Sequence, residues 1–361
     1  IPGPFCMTAG GWLNRRIEVR RLIQMGSVLF VAGLLLCSRA TTLGGLVVGF
    51  GLLVGVGVGT VYGCTVNNSV KLFPDKRGLA GGLTTGVYGL SSVLVPPVAN
   101  VMIRNWGVSA AFQIIAVCFA VVLLLASAFV EQGPEEAGQM LPGGGRDMSW
   151  REMLCQKKFY GMCAMLLCGG LSGMMVISSA SDMAQVEAGF SPSAAALMVS
   201  VLSPFNAGGR ASAGILSDKL GRIGTLSLVF PISVAALCAL FFFGQDSMAV
   251  FAVSIALVGA CFGALMGIFP GFTADEFGQR NNTVNYGILF FGFALSGMLG
   301  PQVASWVMSG TGSYRSAFLI AAVVALAGFA FTFLHRRLAA RSSSLVFCFI
   351  LYHFRLERKV F

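Results

Sequence analysis

A chain of 361 residues that is 56% hydrophobic and only 11% charged, where soluble domains carry about 25% charged residues, belongs in a membrane. Its apolar runs are continuous and about 20 residues long, which excludes the alternating strands of an outer-membrane barrel and leaves an all-α, polytopic fold. The net charge of +10 would suggest nucleic acid in a soluble protein, but here it reads as basic loops that fix topology, with no nucleic-acid partner.

The opening, IPGPFCMTAGG, is too short to span and lacks the charged start of a secretory signal, so it reads as the tail of a helix that begins earlier. Ten full spans follow, at 22–38, 44–66, 79–103, 109–130, 159–181, 192–216, 223–244, 247–272, 283–308 and 314–335. The longest polar stretch, 131–158, mixes Gly, Pro and both charges and marks a linker. It separates an N-terminal helical half (1–130) from a C-terminal half (159–335), which a basic tail (336–361) follows. The tail's apolar piece LVFCFILYHF is too short to cross, so it is either interfacial or a wrongly ended chain. The ten cysteines include no CxxC and lie mostly in apolar spans, where they read as small packing residues without a metal or disulfide role.

Charge assigns the sides. Of the 24 Lys and Arg, 20 fall in loops 10–21, 67–78, 131–158, 217–222 and 273–282 and in the tail. The opposite loops hold only Arg39, Arg104 and Arg315, so the first side is expected to be cytoplasmic. The N-x-[ST] matches at Asn67 and Asn281 then face the cytoplasm, which discounts glycosylation. Arg210 alone sits inside a span. It lies eight residues before Asp218, or about 12 Å inside the helix end.

The halves repeat each other. Gly51, Gly55, Gly59 and Gly63 recur every four residues, and so do Gly259, Gly263, Gly267 and Gly271, at an offset of 208. GGLTTGVYGLSSVLVPPVAN (81–100) aligns with YGILFFGFALSGMLGPQVAS (286–305) at an offset of 205, and the pair Gly11 and Arg15 matches Gly214 and Asp218 at 203. Offsets this close, in the same order, predict two related halves in parallel orientation about an axis along the membrane normal. The glycine ladders predict close helix contacts, and in a chain that rocks between two openings they could be its sliding surfaces.

GILSDKLGR (214–222), after GR at 209–210, resembles the signature loop of the major facilitator superfamily, G-x-x-x-D-[RK]-x-G-R. The C-terminal copy keeps Gly214, Asp218, Lys219, Gly221 and Arg222. The N-terminal copy, GWLNRRIEVRR, keeps Gly11, Arg16, Arg20 and Arg21 but has Arg15 in place of the acid and Glu18 in place of a glycine. The resemblance implies that this loop helps lock one face of a transporter through a charge contact, and that the N-terminal half lacks the acid for it. FPDKRGLAGGLTTGVYGLSS (73–92) and FPGFTADEFGQRNNTVNYGILF (269–290) are similar to the oxalate/formate antiporter and monocarboxylate transporter group. The likeness covers roughly residues 5–335. It implies the major facilitator fold, two six-helix halves in pseudo-two-fold arrangement, with the first helix and most of the second missing from this chain.

In that group an eighth-helix arginine engages the substrate carboxylate, and Arg210 matches it. A bare arginine near the bilayer centre costs about 2.5–3.5 kcal/mol on insertion scales and usually faces a cavity, while guanidinium can fork two hydrogen bonds onto a carboxylate. The bland alternative is that Arg210 snorkels to the surface. Asn206, one turn before it, stands where monocarboxylate transporters have an acid, which favours an exchanger or uniporter over a proton symporter. Phe293 stands where oxalate-type antiporters carry a second cation, which favours a monoanion. Tyr62, Tyr88, Tyr286 and Phe262 are further candidates to line the site. The histidines lie at the end of the last span (His335) and beyond it (His353), and no HExxH or paired intramembrane aspartates occur, so no enzyme and no cofactor are expected. The expected partners are a small organic anion, a proton or counter-anion, and the bilayer, with an accessory membrane protein left open. The expected location is the plasma membrane, with an organelle membrane as the alternative. Carriage of another solute, such as an amino acid or nitrate, and a non-transporting receptor or relic remain the rival readings.

Overall fold

The computed structural model describes residues 2–14, 16–133 and 147–357, and these form helices without a strand. The N-terminal half contains α1 (Pro2–Leu13), α2 (Val19–Arg39) and α3 (Leu43–Leu72). The next run, Arg77–Ala128, breaks at Gly107, where φ is 80° and ψ 168°. A side chain would be strained there, and the break yields α4 (77–106) and α5 (108–128). After the linker come α6 (Trp150–Leu154), α7 (Lys157–Ile177), α8 (Ala180–Ala188) and α9 (Pro192–Leu220). The chain continues through α10 (Arg222–Phe243), α11 (Met248–Phe277), α12 (Asn282–Thr311) and α13 (Arg315–Glu357). The tail thus continues α13 instead of starting a separate interfacial element.

Helix starts follow local chemistry. Ser191 and Ser247 accept from the backbone N–H three residues on, and Pro192 occupies the first turn of α9, where no N–H is needed. Ser149 and Glu152 form a reciprocal capping box that starts α6.

Eight of the described helices are long and apolar enough to cross a membrane, with Pro74–Ala128 counted as one. The 29-residue α9 is not among the eight, although the sequence predicts a span there. Its serines, its two prolines, Asn206 and Arg210 dilute its apolar character. The sequence also did not foresee α8, a short helix packed beside α9.

Two of the helix pairs that join the halves are α4 with α9 and α1 with α12. In the internal repeat α1 corresponds to α9 and α4 to α12, so these pairs are two-fold mates. Their closest points also correspond. A Cβ on Gly214 would lie 3.1 Å from Gly82 Cα, and one on Gly11 would lie 2.8 Å from Val284 N. Backbone contact this close requires glycine.

The ladders make the close helix contacts expected of them. A Cβ on Gly267 would lie 3.0 Å from Arg210 Cα, and one on Gly263 2.9 Å from the Asn206 carbonyl carbon. Gly59 meets Gly3 and Cys6, and Gly63 meets Met7. Gly263 and Gly267 therefore seal α9 to α11, and Gly59 and Gly63 seal α1 to α3, each within one half, while Gly271 lies against Arg77 of the other half. The pairings also set the ladder offset at 204, one helical turn from the 208 read off the sequence, because a four-residue repeat aligns equally well after a shift of four.

Candidate functional site

Arg210 sits where three helices converge. The glycines of α11 let α9 approach closely, and the side chain reaches across to α4. Its Nε donates to Asn206 Oδ1 at 3.0 Å and its Nη1 to the Thr85 carbonyl at 2.8 Å. Thr85 lies eight residues into α4, as Arg210 lies eight from Asp218, so the guanidinium stays at mid-helix depth and does not snorkel to the surface. No carboxylate lies within 4.0 Å of it among the described residues. Of the five N–H donors of a guanidinium, two are used by neutral oxygens.

The aromatic candidates form one string beside it. Tyr88 meets Tyr62 edge-on at 4.9 Å between centroids, and Tyr62 lies 5.9 Å from Phe290. Phe290 contacts Tyr286 at 5.6 Å and Phe293 at 4.7 Å, and Phe293 lies 5.7 Å from Phe262. Tyr62 and Tyr286 are within electrostatic reach of Arg210. The Tyr286 hydroxyl is buried beside that of Tyr62 without reaching normal hydrogen-bond geometry to any described atom. Gly173 of α7 backs the Phe262 ring and Gly170 backs Phe293 and Ser296. All seven sequence candidates, Arg210, Asn206, Tyr62, Tyr88, Tyr286, Phe293 and Phe262, thus fall in one region on α3, α4, α9, α11 and α12.

The signature loop forms a second site at the end of the bundle that carries most of the charged loops. Asp218 accepts from the backbone N–H of Gly78 and of Leu79, both at 2.8 Å, where the first turn of α4 leaves those donors free. Arg222 pairs with Asp218 at 2.7 Å and with Asp275 at 2.7 Å, and Arg77 pairs with Asp275 at 2.9 Å and with Gln279 at 3.1 Å. The contacts bind the α9–α10 corner, the start of α4 and the end of α11, so both halves are joined. Gly214 packs on Gly78 and Gly82, and Gly221, with φ at 78°, makes the α9–α10 corner.

Not every motif residue joins this network. Lys219 is exposed and has no hydrogen bond or ion pair among the described residues. Arg16 is also exposed, with its guanidinium 5.4 Å from the Trp12 ring centroid. Gly11 lies against Thr283, as the repeat requires. Arg15 lies outside the described residues. Sequence reasoning missed Phe290, Thr85, Arg77, Asp275 and Gln279. The available signal was the cluster of charges at helix ends in PDKRG and TADEFGQR.

Among the described residues no three His, Cys, Asp or Glu are grouped so as to hold a metal.

A family model described as Major Facilitator Superfamily matches residues 3–301. The oxalate:formate antiporter of Oxalobacter formigenes is 27% identical over 323 residues, covering 89% of this chain and 76% of that protein. An uncharacterized MFS-type transporter of Escherichia coli, YhjX, is 29% identical over 289 residues, covering 80% and 72%. Monocarboxylate transporter 12 of Rattus norvegicus is 24% identical over 358 residues, covering 91% and 72%. Among solved structures, the human organic anion transporter MFSD10 superposes with a TM-score of 0.73 at 15% identity, covering 91% of this chain and 80% of that one. FucP in its outward conformation gives 0.70 at 16% identity, covering 92% and 86%.

Proposed function

The chain belongs to the major facilitator superfamily, a multi-pass integral membrane protein of the transporter fold, and from that premise we propose that it moves a small organic monoanion by alternating access. Formate, lactate and pyruvate are the first candidates, with oxalate-type exchange as the wider class. The observation that carries this reading is the state of Arg210, a mid-span cation whose hydrogen-bond partners are both neutral. A permanent charge left without a counter-ion at that depth favours an anionic ligand, and the guanidinium fork suits a carboxylate.

The rest of the site supports one charge and an apolar body. Phe293 supplies no second cation, and the string of aromatic rings offers an apolar wall with hydroxyls at Tyr62, Tyr88 and Tyr286. Asn206 holds Arg210 in place without neutralising it or accepting a proton, which favours exchange or uniport over proton symport. Two of the relatives carry names that refer to carboxylate transport. The charged end faces the cytoplasm in this reading and is closed by the Asp218 network, so Arg210 is reached from the other side. The plasma membrane is the proposed location.

The test is uptake of labelled formate, lactate, pyruvate and oxalate by cells expressing the protein, beside Arg210→Gln at matched membrane levels. Uptake of one acid that is lost in the variant supports the reading. Uptake that the variant leaves unchanged overturns the role of Arg210, and uptake of none of the acids overturns the substrate class.

A further inference from the structure

The two-fold that relates the halves makes a second closure visible. Under the repeat, Arg77 of the charged network and Gly271, which lies against Arg77 and Arg222, correspond to Asn282 and Asn67. These two face each other across the halves: Asn282 Nδ2 donates to Asn67 Oδ1 at 2.7 Å and to the Pro270 carbonyl at 3.3 Å, while Asn67 Nδ2 donates to the Gly63 carbonyl at 2.8 Å. Each is only 1% exposed. The mate of Asp275 is Lys71, and the mate of Asp218 is Arg15. The acids of the first closure are therefore absent from the second, and a pair of carboxamides joins the halves there.

The neighbours of these asparagines hold the central linker. Asn68 Nδ2 donates to the Glu131 carbonyl at 2.8 Å, and Gly133 N–H donates to Asn68 Oδ1 at 2.9 Å. At the other end of the linker, Asn281 and Asn285 donate to the Met148 carbonyl at 2.9 and 3.1 Å, and Met148 N–H donates to the Phe277 carbonyl at 2.9 Å. Arg280 N–H donates to Asp147 at 3.3 Å. One end of the linker is tied to the α3 terminus and the other to the α12 start, and the Asn67–Asn282 bond joins those two points directly.

We propose that the Asn67–Asn282 amide pair is an uncharged second latch, which shuts the bundle on the α1–α12 side and breaks in each transport cycle, and that both linker ends move with it. The pair uses the Asn282 donor and the Asn67 acceptor, which parting the halves would leave unmatched, while Asn282 Oδ1 has no partner among the described residues. The first latch depends on fixed charges; the second is made by two carboxamides.

The test installs Asn67→Cys and Asn282→Cys together, with each single variant as a control for the native cysteines. The expected result is an oxidant-dependent cross-link between the two positions, found by peptide mass analysis, with transport arrested and then restored by reductant. Failure to cross-link overturns the pairing. A cross-linked protein that still exchanges substrate at the wild-type rate overturns the latch. A readout free of any substrate is amide hydrogen exchange of the purified protein. Asn282→Ala is expected to speed exchange about tenfold at 131–133 and 147–149 and to leave 183–190, at the opposite end, unchanged. The unchanged far end shows that the variant is folded, and linker ends that keep wild-type protection overturn the coupling.

Discussion

Arg210 on α9 donates to the backbone carbonyl of Thr85 on α4 at 2.8 Å, so this cation in the middle of a helix bridges the two halves. A backbone carbonyl positions the guanidinium without neutralising it. In the proposed function, a carboxylate that took the Nη1 donor now held by Thr85 would link substrate binding to the contact between halves through one side chain.

Arg210→Lys keeps the charge and loses the planar fork. The external KM for the transported acid is expected to rise roughly 10- to 100-fold, about 1.4–2.8 kcal/mol of binding. Counterflow kinetics at matched protein level checks this. An unchanged KM would mean that a point charge suffices.

Gly82→Ala places a methyl 3.1 Å from Gly214 Cα and closer still to the Arg210 carbonyl. Gly287→Ala, its two-fold mate, places one 2.7 Å from Thr8 Oγ1. Each should cost about 1–3 kcal/mol through overpacking and lower the melting temperature. Only Gly82→Ala displaces Arg210, so it should also reduce uptake beyond what the loss of folded protein explains. Equal transport defects in the two variants would argue against that difference.

Asp218→Asn removes the carboxylate that holds two helix N–H groups and Arg222. Arg222 keeps Asp275, so the expected loss is about 1–3 kcal/mol, the scale of hydrogen bonds to a charged group. The charged end should then open more often, measured as faster modification of a reporter cysteine reached from that side. Adding Arg222→Gln should produce little further effect, because the pair acts as one unit.

Glu187 is buried at the opposite end and accepts from Gln245 at 2.7 Å, from Ser313 at 2.9 Å and from the Tyr314 N–H at 2.5 Å, and it forms no ion pair among the described residues. Glu187→Gln turns one acceptor into a donor and should cost about 1–3 kcal/mol, local to α8 and the α12–α13 loop. Hydrogen exchange should rise there, while the KM for substrate stays the same. A changed KM would place Glu187 in the transport path.

Much of the architecture was legible in the sequence because lipid imposes simple rules. Apolar length marks spans, basic residues mark one face, and a repeated pattern of glycines and motifs reveals two related halves. Arg210 stood out for the same reason, as a charge where charge is costly. The aromatic candidates came from their types and spans, and the structure brings them together without assigning them a role.

The sequence by itself determined that this is a helical membrane protein of two repeated halves with an arginine placed inside an apolar span. It could not determine which helices touch, because in lipid every apolar face is equally content and only close packing distinguishes partners. The tertiary structure decided that Gly59, Gly63, Gly263 and Gly267 seal helices within each half, that Thr85 orients Arg210, and that Arg77, Asp275 and Gln279 close one side. It also decided that Asn67 and Asn282 meet. These contacts join residues 125 to 215 positions apart or lie one helical turn from an equally good alignment, so only the packed helices select them.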